Sequence, residues 1–151
     1  MPIAAVGAPR PVAAAPVWEA IEANHRHNGL LWAQEDLARR RNVPDAEIAA
    51  NKRAIDRFNQ ARNDATERVD ELLLIALGLV DAASARTDSP RATVPAGARL
   101  SSETAGSMID RLSILALKID AMRAQTARHD VDDAHREGSR GKLDRLLQQR
   151  G

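Results

Sequence analysis

The 151-residue chain has no cysteine and no tyrosine, and its aromatic residues, Trp18, Trp32 and Phe58, make up only 2% of the sequence. Without cysteine there are no disulfides, thiolate zinc sites or sulfur nucleophiles, and a reducing, cytosolic setting is the simplest expectation. So few rings leave little on which nucleic-acid bases could stack. With 22 Lys and Arg against 21 Asp and Glu, the net charge is only +1, and no nucleic-acid partner is expected. Long apolar runs are missing too: the most apolar stretch, Leu72 to Val80, is too short to cross a bilayer. No window alternates apolar and polar residues as a strand does, and no solenoid-length repeat is visible. What remains is 44% apolar residues, mostly Leu, Ile, Val and Ala, which suits an all-α core in a single domain.

Prolines and glycines divide the chain. A first helix is expected from Val17 to Asn42, between Pro16 and Pro44, and a second from Asp45 to about Ala85, loosened at Gly78. Pro90, Pro95 and Gly97 mark Thr87 to Arg99 as a loop. A third helix is expected from Thr104, its N-cap, to Arg128, and a short fourth from Lys142 to Gln149, after a break at Gly138 to Gly141. Met1 to Pro16 is an Ala/Pro-rich stretch without periodicity, expected to be a disordered lead-in to a domain of residues 17–151. The expected fold is all-α, a bundle of three long helices plus a short C-terminal one. A second helix of about 60 Å exceeds a compact domain of this size, which favours a kink or a homodimer.

Alternating steps of three and four residues trace the packing face of a helix. Along the first helix they give Trp18, Ile21, His25, Asn28, Trp32, Glu35 and Arg39; along the second, Ile48, Lys52, Ile55, Asn59, Arg62, Thr66, Val69 and Leu73. Both seams are polar through the middle, and Asn24, Asp36, Asp56, Asn63 and Asp64 lie beside them. Charges kept at packing positions must either pair with one another or face a polar ligand or water. Mid-helix asparagines, poor helix formers, favour a ligand. Arg62 is expected to face it, with Glu35 its nearest partner across the seam. The acids Glu19, Glu22, Glu67 and Asp70 form i,i+3 pairs on two helices, a weaker pointer to magnesium.

The third helix starts with Ser101, Ser102, Glu103, Thr104, Ala105, Gly106 and Ser107. Small first-turn side chains leave free N–H groups approachable, so Ser107 and Arg111 could hold a phosphate or carboxylate there. Three strings resemble a bacterial family catalogued only as a domain of unknown function. They are Asn24-His25-x-x-Asn28-x-x-Leu31-Trp32-x-x-Glu35-Asp36-x-Ala38-Arg39, Lys52-x-x-Ile55-Asp56-x-x-Asn59-Gln60-x-Arg62-Asn63-Asp64, and Ser102 to Ile114. The resemblance spans Ala23 to Arg123, and this chain has Ala105 where the family pattern has proline. It implies a helical protein often encoded near envelope-sugar glycosyltransferases, and no mechanism.

These readings lead to an expected small-molecule site between helices one, two and three, for a small anionic or polar metabolite, with no cofactor and no metal. In its enzymatic form His25 with Glu35 or Asp36 moves protons. Asn28, Trp32, Arg39, Lys52, Asp56, Asn59, Arg62, Asn63, Ser107 and Arg111 bind the substrate. The alternatives are a helical adaptor that dimerises or docks on a biosynthetic enzyme, and a magnesium-dependent phosphohydrolase.

Overall fold

A computed structural model describes residues 15–151; the expected lead-in lies outside the described residues except for Ala15 and Pro16, which form the start of the first helix. Four helices follow one another: α1 (Ala15–Ala38), α2 (Asp45–Ala76), α3 (Ala105–Thr126) and α4 (Asp133–Arg150). Among the described residues the sole β pairing is an isolated bridge between Val80 and Ala92. No described helix is long and apolar enough to cross a membrane.

The α1–α2 hairpin is antiparallel, and its seam is built from small residues. Ala20, Ala54 and Ala65 are buried there, with Val69 wholly so, and such side chains let two helix axes approach closely. Asn51, buried on α2, donates to Gln34 Oε1 at 2.8 Å and accepts from Arg40 at 3.2 Å. Arg40 also pairs with Glu47 at 3.3 Å, closing the hairpin at its turn.

Helix α2 ends sooner than its composition implies. Gly78 adopts φ +69, the left-handed conformation glycine takes without steric cost. Its N–H bonds to the Ile75 carbonyl, and that of Leu79 to the Leu74 carbonyl, each at 2.9 Å, the pairing of a Schellman stop. The helix therefore has 32 residues, about 48 Å, and residues 77–104 form an irregular excursion. Likewise α1 stops at Ala38 rather than Asn42.

Helix α3 runs parallel to α1 and antiparallel to α2. It is pinned at its first turn: the Gly106 N–H donates to Asp70 Oδ1 at 2.7 Å. A Cβ on Gly106 would stand 2.5 Å from the Thr66 carbonyl oxygen, so only glycine permits this approach. Helix α4 returns antiparallel along α3. It is capped by Asp132, which accepts from the His135 N–H at 2.8 Å, and Arg136 donates to the carbonyls of Arg128 and Val131.

The expected short fourth helix is thus corrected to 18 residues, running through Gly138 and Gly141. The cost of two helical glycines is outweighed by the cap and by packing on α3, where Ser139 and Ile119 are buried. Nothing lies within 4 Å of a Cβ added at either glycine. Replacing Gly138 or Gly141 by Ala should therefore stabilise the protein by about 0.8 to 1 kcal/mol each. Gly106→Ala should destabilise it by about 1 to 3 kcal/mol, an opposite sign readable in urea unfolding.

Candidate functional site

Two asparagines and one arginine of the polar seam meet on one carboxylate. Asp110, one turn past Gly106 on α3, accepts at Oδ1 from Asn24 Nδ2 (2.9 Å), Asn28 Nδ2 (2.9 Å) and Arg62 Nε (3.0 Å), and at Oδ2 from Arg62 Nη2 (2.6 Å). Asn24 also donates to Thr66 Oγ1 at 3.1 Å, and Asn28 to Ser113 Oγ at 3.0 Å. Ser113 Oγ lies 2.7 Å from His25 Nδ1. One acid from α3 therefore ties together α1 and α2, with Asn24, Asn28, Asp110 and Ser113 all buried.

Burial works to raise the pKa of Asp110. The bidentate arginine and the two amides outweigh it, and the net shift is downward from the usual carboxylate value. The hydrogen bond to Asp110 raises Arg62 in turn. Arg62 has its ion pair here and a further contact to Asn59 Oδ1 at 3.4 Å. The expected pairing of Arg62 with Glu35 is corrected: the partner is Asp110, and a half-buried Arg62 pairs with a buried carboxylate.

The remainder of the seam opens into a cavity of about 350 Å³, lined by Asn28, Leu31, Trp32, Glu35, Asp36, Arg39 and Arg62, with Ile114 and Leu117 of α3. Six of the thirteen residues expected from the sequence to form a site are thus brought together: Asn28, Trp32, Glu35, Asp36, Arg39 and Arg62. Arg39 pairs with Asp36 at 3.1 Å, both well exposed, and its Nε donates to the Glu35 carbonyl at 3.2 Å. Glu35 is half-buried, and its carboxylate has no hydrogen bond or ion pair among the described residues.

Other expected residues fall elsewhere. His25 stands ten positions before Glu35 on α1, about 15 Å along the axis, so the two cannot share a proton. His25 is exposed and outside the cavity lining. Lys52, Asp56 and Asn63 are exposed on α2 and do not line the cavity; Asn59 reaches it only through Arg62.

The anion site expected at the start of α3 is filled from within. Thr104 is the N-cap, accepting from the Ser107 N–H at 3.1 Å, but the Gly106 N–H is taken by the Asp70 carboxylate, and Arg111 pairs with Glu103. Ser107 Oγ donates to the Thr104 carbonyl. Among the described residues no three acidic or histidine side chains cluster as metal ligands would, so Glu19, Glu22, Glu67 and Asp70 do not assemble.

Sequence reasoning left out Asp110 and Ser113. Gly106, Asp110 and Ser113 follow the same three-four spacing on α3 that marks the seams of α1 and α2, and the same walk along α3 finds them.

Fold and site together define an all-helical protein with a buried polar hub and a small adjoining cavity. The chain belongs to the family described as protein of unknown function (DUF4254), whose model matches residues 18–151. No curated protein and no solved structure matches it.

Arg62→Ala should cost about 3 to 5 kcal/mol, since it strands the buried Asp110 carboxylate, and Asp110→Ala should cost less, since the half-buried Arg62 can turn to water. The double variant should lose less than the two combined, by at least about 1 kcal/mol, in a urea double-mutant cycle. Because the Asp110 pKa is lowered on folding, its stabilisation is present above the unfolded value and lost as pH falls through the folded one. Below about pH 4, wild type should lose stability with acid more steeply than Asp110→Asn.

Proposed function

We propose that the chain binds a small polar metabolite in the cavity between α1, α2 and α3. The carrying observation is Glu35: a half-buried carboxylate left without a partner beside groups that are already paired. Partial burial of a charge is costly unless something satisfies it, and a ligand hydroxyl or amine would do so. Trp32 offers a flat apolar wall. Arg39 is held by an exposed ion pair, which is weak and readily exchanged, so it is free to turn to a ligand carboxylate or phosphate. A volume of about 350 Å³ sits at the small end of ligand pockets. With His25 remote from Glu35, the reading is one of binding.

A thermal-shift screen of phosphorylated sugars, nucleotides and small carboxylates, with and without magnesium, tests this. A ligand at about 100 times its Kd should add about 2.7 kcal/mol, raising Tm by about 5 to 10 °C for a domain this size. Glu35→Gln should leave the ligand-free Tm unchanged within about 2 °C and abolish the shift. An undiminished shift in that variant removes Glu35 from the site.

The exposed apolar surface supports a second element of this reading, assembly into a homodimer. Exposed apolar side chains lie on the first turn of α1, the end of α2 and the segment that follows it: Trp18, Leu74, Leu77, Val94 and Leu100. A second copy covering these side chains is the occupant proposed. Light scattering should give twice the chain mass, and Leu77→Glu with Leu100→Glu should return it to the chain mass; a monomeric wild type overturns the dimer.

A further inference from the structure

A second, longer trough lies between α3 and α4, on the far side of Trp32 from the cavity above. It consists of two adjoining cavities of about 490 and 340 Å³ that share Lys118 and Gln149. Its walls are apolar, formed chiefly by Leu112, Leu115, Met122 and Leu146, and no acidic residue lines either cavity. Lys118 of α3 and Lys142 and Arg145 of α4 border it, all exposed and all without a hydrogen bond or ion pair among the described residues. Asp144, the acid nearest in sequence, falls on the opposite face of α4 from Lys142, Arg145 and Gln149.

What sets these three cations apart is their shared place on an apolar trough with no acid in its lining; Arg111, at the trough's own edge, is taken by Glu103. Lys142 and Arg145 stand three residues apart on one helix, where like charges repel, with a third cation facing them from α3. An anion is the group that relieves this arrangement, and the apolar walls require that it carry a hydrophobic body. A fully apolar ligand would leave the cations repelling, and a bare anion would leave the walls wet.

We propose that the α3–α4 trough binds a soluble single-chain anionic amphiphile, its acyl or alkyl body along the apolar walls and its phosphate or carboxylate at Lys118, Lys142 and Arg145. This site is separate from the one assigned to the polar metabolite and does not rest on it. The combined space is within the range of organic-ligand pockets, and the charge complementarity selects the headgroup.

The test is calorimetric titration of the full chain with dodecyl phosphate held below its micelle concentration, in parallel with inorganic phosphate, the neutral amphiphile dodecyl maltoside, and phosphatidylglycerol vesicles in a sedimentation assay. Dodecyl phosphate should bind once per chain, at least about tenfold more tightly than either control, and the vesicles should not carry the protein down. Lys142→Glu with Arg145→Glu, two exposed substitutions whose folding is checked by circular dichroism, should weaken dodecyl phosphate at least about tenfold, or about 1.4 kcal/mol. A milder Lys142→Gln, Arg145→Gln pair should weaken it by a smaller factor. Equal affinity for dodecyl maltoside, an unchanged affinity in the charge-reversed variant, or capture by vesicles without binding of monomeric dodecyl phosphate would each overturn the proposal.

Discussion

The carboxylate of Asp110 is the constraint on which the arrangement of the first three helices depends. Four donors from two helices converge on its two oxygens, and a buried ionised acid persists only when its lone pairs are satisfied this fully. Burial alone would drive it toward its neutral form; the arginine and amides reverse that. The bidentate geometry also has a direction. A fork–fork pair tolerates little rotation, so Arg62 fixes how far α3 can turn or slide against α2, while Asn24 and Asn28 fix its height against α1.

Glycine at position 106 makes that hub possible. The close approach of α3 to the Thr66 carbonyl leaves no room for a Cβ, and the Asp70 carboxylate occupies the positive end of the helix. Every polar contact named between α3 and α2 comes from these first two turns, at Gly106 and Asp110. Farther along, Ile114 and Leu117 border a cavity instead of closing on α2. Tight fastening at one end of α3 and open space along the rest are two consequences of one arrangement.

The distribution of paired and unpaired charge then divides the polar residues into two sets. Charges at the hub are saturated, and so are those at the helix start. Among the described side chains without partners are Glu35, beside Trp32, and the cations Lys118, Lys142 and Arg145 beyond it. They border cavities, where an incoming group can meet them. The seam thus answers both demands that buried polarity makes: its amide and arginine half pairs internally, and its Trp32–Glu35–Arg39 half faces open volume.

Much of this could be read from the residues alone. The absence of alternation and the three-four spacing determined helices; Pro44 and Asp45 determined where α2 begins, and Thr104 where α3 is capped, because backbone stereochemistry and first-turn hydrogen bonds are local. The six seam residues around the cavity were also visible, since residues on one helix face share a surface wherever the helix goes. The tertiary structure alone decided which partner each charge takes. Arg62 chose Asp110, 48 positions away, over Glu35, and the α3 N-terminus took Asp70 from within the chain, because these pairings depend on the distance between helices, on which spacing within a helix is silent. It also decided that α4 runs through two glycines, since packing against α3 outweighs a local propensity that, taken by itself, ends a helix there.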